Sequence, residues 1–326
     1  MKWVRGETIG YGSFATISKA TPSNSSAHQF PSLMAVKSSE ACWSDSLKNE
    51  KRVLDTIGSC PQIIRCFGDE HSIENGEELH NLLLEYASGG SLADRVKTNG
   101  GRLSESEIRR HAKSILKGLY AIHAKGFVHC DIKLQNILVF DDGATKIADF
   151  GLAKETGEQQ GKCEIRGTPL YMSPESVNEN EYESPCDVWA LGCAVAEMAM
   201  GKPVWNHEPE ASIWPLLMKC FVKDPRKRWT AEMLLNHAFV MSDYDNNDDP
   251  NDSVVSKEEN LESTSPRCPF YFPDWVSTLE PEFSPEFDSE SSSTTCFPSP
   301  DDRMQKLVTE EIDNWSLSDS WVTVRD

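Results

Sequence analysis

The sequence predicts an α+β fold, in which a small strand-rich region comes first, a larger helical region follows, and an acidic tail closes the chain. Three observations point to it. Strand-like apolar runs dominate residues 3–87, helical periodicities dominate residues 88–240, and beyond Phe239 the chain turns to Asp, Asn, Ser, Pro and Glu. Charge divides at the same place. The net charge is −20, and the stretch from Met241 onward holds 21 Asp/Glu against 5 Lys/Arg, which leaves 31 against 27 in the first 240 residues. Such a tail buries too little apolar surface to offset its ordering entropy, so residues 241–326 are expected to be disordered.

The first strand, Trp3 to Ile9, runs into Gly10-Tyr11-Gly12-Ser13-Phe14-Ala15-Thr16-Ile17. Closely spaced glycines let backbone N–H groups approach phosphate oxygens, because a Cβ there would hold the ligand away. A second strand, Leu33-Met34-Ala35-Val36, ends in Lys37. Ser44 to Ile57 carries Leu47, Val53, Leu54 and Ile57 at helical spacing, which turns Glu50 toward the sheet as a partner for Lys37. Glu40 is the rival partner. Ile63 to Phe67 and His80 to Tyr86 read as two more strands. Ser104-Glu105-Ser106-Glu107 is a capping box that opens an amphipathic helix to Ala124, and Lys125-Gly126 stops it. A buried helix opens at Asp187-Val188-Trp189.

Between those last two helices lies His129-Cys130-Asp131-Ile132-Lys133-Leu134-Gln135-Asn136, with Asp149-Phe150-Gly151 beginning thirteen residues after Asn136. Phosphoryl transfer needs a carboxylate to orient the acceptor hydroxyl, a carboxylate and an amide oxygen to hold a metal, and a cation on the transferring phosphate. Asp131 supplies the first, Asp149 and Asn136 the metal pair, and Lys133 the cation. The run resembles the catalytic and metal-binding loops of eukaryotic protein kinases. Over residues 3–240 the resemblance implies the bilobal protein-kinase fold, with an N-lobe of about residues 3–87 and a C-lobe of about 88–240. It implies Asp131, Lys133, Lys37 and Glu50 as catalytic residues, and ATP held by Ile9, Gly10, Gly12, Ile17, Ala35, Lys37, Glu85, Ala87, Asn136 and Asp149. Mg²⁺ falls to Asn136 and Asp149, the adenine hinge to Glu85–Ala87, and Leu84 stands at the back of the pocket. Gly167-Thr168-Pro169 through Ser173-Pro174-Glu175 resembles the end of an activation segment, and Thr168 marks a Ser/Thr kinase. By the same resemblance Asp187 supports the catalytic loop and Arg228 pairs with Glu175.

Within that superfamily, Leu82-Leu83-Leu84-Glu85-Tyr86-Ala87, His129-Cys130-Asp131 and Lys219 to Pro225 are similar to plant MEKK-type MAP kinase kinase kinases of the stress-hormone-responsive group. The implied substrate is a MAP kinase kinase in a stress-signalling cascade. Two departures stand out. Cys130 replaces the arginine that clamps an activation-loop phosphate in many kinases, and a thiol cannot make that bidentate pair. Thirteen residues separate Trp205 from Lys219, too few for helix G and the start of helix H. A catalytically weak or inactive truncated domain acting as a binding or scaffold protein is therefore the alternative reading.

The acidic balance argues against nucleic acid. Neither a leader nor a membrane span is expected, since Lys2 and Arg5 interrupt the N-terminus and Glu197 interrupts the longest apolar run. Ten cysteines without C-x-x-C pairs predict reduced thiols and a cytoplasmic or nuclear location. In the tail, the aromatic islands Phe270 to Trp275 and Trp315 to Trp321 read as docking motifs for a MAP kinase or a regulator, or as chance aromatics in an inert tail. Ser265-Pro266, Ser284-Pro285 and Ser299-Pro300 suit feedback phosphorylation by a MAP kinase.

Overall fold

The structure, a computed structural model, describes residues 2–12, 15–23, 30–158, 165–202 and 211–242. The tail motifs, Ser13 and Phe14 of the glycine turn, and Trp205 lie outside these residues.

Strands β1 (Trp3–Tyr11), β2 (Thr16–Pro22), β3 (Met34–Glu40), β4 (Cys66–Glu74) and β5 (Glu77–Glu85) make one antiparallel sheet in the order β1-β2-β3-β5-β4. Side chains alternate between faces along a strand, so β3 serves two purposes at once. Met34 and Val36 pack with Trp3, Ala20 and Leu83 on one face, whereas Ala35 joins the main core on the other. Lys37, two residues on, shares the face of Ala35. Helix α1 (Asp45–Ile57) lies against that face with Leu47, Glu50, Val53, Leu54 and Ile57 buried, as its spacing predicts.

The strand expected over Ile63 to Phe67 is displaced. Ile63 and Ile64 leave the sheet and sink into the main core, where the Ile64 N–H donates to the Ile147 carbonyl at 2.9 Å. β4 starts only at Cys66 and runs to Glu74. Its turn is Asn75-Gly76, both at positive φ (55° and 89°), the dipeptide that favours a two-residue hairpin and the unused signal for the longer strand. β2 shows no simple alternation, since its buried residues Ile17, Ser18 and Ala20 fall on both faces.

After the sheet come α2 (Leu92–Thr98) and α3 (Glu105–Ala124). Ser104 caps α3 through the predicted box, accepting from the Glu107 N–H at 3.4 Å while the Glu107 carboxylate accepts from the Ser104 N–H at 3.2 Å. Ile108, Ile115, Leu116, Leu119 and Ile122 are all buried. Each contributes about 1.5–3 kcal/mol by its removal from water, which makes α3 the scaffold beneath the loops that follow. Those loops are braced by short pairs, β6 (Phe127–Val128) with β9 (Lys154–Glu155) and β7 (Ile137–Val139) with β8 (Thr145–Ile147).

Helix α4 (Pro174–Glu179) leads to α5 (Ser184–Met200), which begins one turn before Asp187 and is buried on almost every side. A helix apolar all round belongs at the centre of the helical region. It is covered by α6 (Trp214–Cys220): Ile213, Leu216, Leu217 and Cys220 are buried, and Phe221 packs edge-on against Trp189 at 5.1 Å between centroids. Among the described residues α6 is the one helix between α5 and α7 (Ala231–Leu235), which with α8 (Ala238–Met241) packs on α3. The shortened stretch thus still closes the core over α5. No helix of the described residues is long and apolar enough to cross a membrane.

Candidate active site

Lys37 is the centre of the site. β3 carries it inward, and its Nζ lies 2.8 Å from Glu50 Oε2 and 2.8 Å from Asp149 Oδ1. Burial alone would depress the ammonium, but the two carboxylates outweigh it and hold its pKa above the ordinary lysine range. Asp149 is the converse. Burial would raise its carboxyl, and Lys37 outweighs that and holds it at about 2. The second Glu50 oxygen accepts the Phe150 N–H at 3.2 Å, so one buried glutamate fixes both the lysine and the chain after Asp149. Asn49 adds bonds to the Gly151 and Ala153 carbonyls at 3.2 and 2.7 Å. Glu40, the rival partner for Lys37, is exposed at the end of β3.

Residues 129–136 form the second part. Asp187, buried at the start of α5, accepts the His129 N–H at 2.8 Å and the Cys130 N–H at 2.9 Å, which holds Cys130 at a φ of 68° that a non-glycine residue rarely adopts. The His129 ring accepts the Asp131 N–H on Nδ1 at 3.2 Å, so Nε2 carries the proton it donates to the Ala148 carbonyl at 3.1 Å. One imidazole therefore ties residue 131 to the strand end that delivers Asp149.

Asp131 Oδ2 accepts from Asn136 Nδ2 at 2.9 Å and lies 3.1 Å from Lys133 Nζ. Its Oδ1 accepts from the Thr168 hydroxyl at 2.7 Å, and that hydroxyl also receives Lys133 Nζ at 3.0 Å. The threonine reaches this place because Gly167, at φ 95°, presses on the Cys130 carbonyl where a Cβ would collide. The sequence had marked Thr168 only by type; nothing in its spacing showed this contact.

The amide of Asn136 is oriented by its Nδ2 bonds to Asp131, and its buried Oδ1 has no hydrogen-bond partner among the described residues. That orphaned oxygen, beside the β7–β8 hairpin that ends two residues before Asp149, suits a divalent cation of the hard, oxygen-seeking kind. Two protein oxygens are few, and phosphate and water oxygens complete such shells.

The remaining predicted nucleotide contacts surround one cleft. Ile17 and Ala35 are buried on the sheet face shared with Lys37, Leu84 pairs with Ala35 across β3 and β5, and Ile9 packs beside them half-buried. Gly10 pairs with Ile17, and the Gly12 N–H donates to the Ala15 carbonyl at 2.6 Å, which closes the turn between β1 and β2. At the hinge, Lys146 binds both Glu85 carboxylate oxygens at 2.7 Å, and the Glu85 N–H donates to the Arg65 carbonyl at 2.9 Å. Ala87 is half-buried against the core. This Glu85–Lys146 pair was not visible in the sequence, which spaces its members 61 residues apart.

A third layer orders the activation segment. The buried Lys154 donates to the Tyr182 carbonyl at 3.1 Å and to Glu183 at 3.3 Å, and the same Glu183 oxygen accepts the Gly157 N–H at 2.9 Å. Glu175 and Arg228 form a bidentate ion pair at 2.6 and 2.9 Å, both buried.

The protein kinase domain family matches residues 3–214. Among known proteins, the chain is similar to mitogen-activated protein kinase kinase kinase 20 of Arabidopsis thaliana, with 52% identity over 355 positions covering all of both chains. It is also similar to kinase kinase kinases 17 and 18 of that plant, at 36% and 37% identity over 74% of this chain and 70% and 78% of theirs. The first of these alignments is longer than the 326 residues here, so that relative carries residues with no counterpart in this chain. The chain belongs to the protein kinase family: it is a serine/threonine protein kinase with the α+β fold of that family, uses ATP and a divalent metal, and resembles the plant MEKK-type MAP kinase kinase kinases.

Proposed function

We propose that this kinase transfers the γ-phosphoryl group of Mg·ATP to Ser/Thr hydroxyls of a MAP kinase kinase in a stress-signalling MAP kinase cascade of the cytoplasm or nucleus. One observation carries the chemistry. A single hydroxyl, that of Thr168, lies within hydrogen-bond reach of both Asp131 and Lys133, which is the position an acceptor hydroxyl needs. Asp131 orients that hydroxyl and takes its proton, while Lys133 neutralises charge on the phosphoryl group. Glu50 holds Lys37 against the α- and β-phosphates, and the missing Cβ at Gly10 and Gly12 lets the turn approach the phosphates closely. Asn136 and Asp149 would hold Mg²⁺, which when bound would supply charge neutralisation at the phosphate oxygens. Ile9, Ile17, Ala35, Glu85 and Ala87 receive the adenosine. The purified chain should place phosphate on Ser/Thr of a catalytically dead MAP kinase kinase; transfer to a generic peptide but never to that protein would refute the assigned substrate.

Activation needs no phosphate clamp. Lys154 and the Gly157 N–H, the groups that flank Thr156, are already satisfied by Glu183. Thr156→Ala is therefore expected to change activity less than about threefold, whereas Glu183→Ala frees the segment and lowers activity about tenfold, of the order of one lost charge-assisted bond. A Thr156→Ala protein that was silent would overturn this.

The shortened stretch favours the scaffold reading for one step only, protein-substrate docking. Nucleotide contacts all lie upstream of it. Inserting a full-length segment between Ala211 and Ile213, ahead of α6, should raise both melting temperature and phosphorylation of the MAP kinase kinase. If neither moved, the shortening would be a tolerated deletion and the scaffold reading would lose its support.

A further inference from the structure

Phosphoryl transfer uses no thiol, yet two cysteines from separate elements meet beside Asp131. Cys130 belongs to the catalytic loop and Cys186 to the first turn of α5. One oxygen, Asp187 Oδ1, accepts the Cys130 N–H at 2.9 Å and lies 4.0 Å from Cys186 Sγ. Cys130 packs against the small buried cluster of Cys186, Val128 and Tyr182, near enough for its thiol to act on that of Cys186. Both line a small surface cleft together with Asp131, Thr168 and Tyr171. Cys130 is half-buried there, whereas Cys186 is 7% exposed.

We propose that Cys130 and Cys186 are a thiol-modification site: a peroxide joins them in a disulfide that switches the kinase off. The Cys130 thiolate attacks the peroxide O–O bond, giving a sulfenic acid at Cys130 and a hydroxide that leaves as water. Cys186 sulfur then attacks Cys130 sulfur, the S–S bond forms, the S–O bond breaks, and the hydroxyl leaves as water with the Cys186 proton. Two thiols thus lose two electrons to one hydrogen peroxide, and two waters form. The order follows from the surroundings. The hydrogen bond to Cys130, burial and the Asp187 carboxylate hold the Cys186 pKa well above the ordinary thiol value, so Cys186 stays protonated and acts second.

A disulfide holds its sulfurs about 2.05 Å apart, much closer than two thiols in contact. Closing that distance pulls on Cys130, which adjoins Asp131 and is already held in a rare backbone conformation. A shift of about 1 Å at a reacting group costs roughly 100-fold in rate. The loss of activity rests on the role proposed for Asp131; the bond itself does not.

The test treats the full chain with hydrogen peroxide, blocks free thiols, maps linked peptides by mass spectrometry and follows Ser/Thr phosphorylation before and after dithiothreitol. A Cys130–Cys186 linked peptide, a roughly 100-fold loss and recovery on reduction are expected. Cys186→Ala should keep the starting activity and resist peroxide. Absence of the linked peptide from the oxidised wild type overturns the proposal, whatever the variant does. So does an equal loss of activity in Cys186→Ala. A linked peptide in a chain that is inactive even when reduced would uphold the bond and refute the role of Asp131 instead.

Discussion

Lys37→Met is expected to lower γ-phosphoryl transfer by about 100- to 1,000-fold, the scale set by removing one preorganised charged donor from a water-poor site. Methionine keeps much of the length and apolar stem of lysine, so the sheet face with Ala35 stays filled. What disappears is the ammonium between Glu50 and Asp149. Glu50, fully buried, then takes up a proton rather than remain an unpaired charge. The phosphates lose their cation and Asp149 loses the group that holds it ionised. Asp149→Asn removes a metal oxygen's charge and should be equally severe. A purified Lys37→Met protein with undiminished transfer would sink the assignment.

The same pair predicts a pH response. Asp149 has a folded pKa of about 2, below its ordinary 3.8, so its contribution is present above 3.8 and is lost only as pH falls toward 2. Lys37 is raised above 10.5, so its contribution is complete below that value and is lost only in stronger base. Titrating the protein from pH 5 to 9 should therefore leave the Lys37–Asp149 pair charged. Any activity change over that window belongs to other groups.

Arg228→Ala should be the most destabilising single change in the helical region. Its guanidinium makes the two bonds to Glu175, donates to the Val222 and Pro185 carbonyls at 2.9 and 2.8 Å, and lies 5.1 Å over the Trp189 ring. Alanine leaves Glu175 buried without its partner, which costs about 3–5 kcal/mol. At roughly 2–4 °C per kcal/mol for a chain of this size, the melting temperature should fall by about 10 °C. Glu175→Leu combined with Arg228→Leu should recover part of that loss, because a buried pair of apolar residues carries no stranded charge. A drop under 2 °C for Arg228→Ala would show that the pair is not an anchor between α4 and the segment before α7.

The sequence alone determined what lies close along the chain. His129 to Asn136 is one loop, so Asp131, Lys133 and Asn136 could be placed together from their spacing, and the capping box at Ser104–Glu107 announced α3 because both bonds span three residues. The face of Glu50 was legible from the helical period. Lys37 and Asp149 are 112 residues apart, and their contact depended on the register of β3 against β5 and on the β7–β8 hairpin. Thr168 on Asp131, Lys146 on Glu85, Glu183 on Lys154 and Cys186 on Cys130 were decided by tertiary structure alone. Each joins residues 29 to 61 positions apart, a separation over which the period of a single element fixes nothing. Local pattern encodes which face a side chain takes on its own element, whereas the packing of whole elements around α3 and α5 selects which of those faces meet.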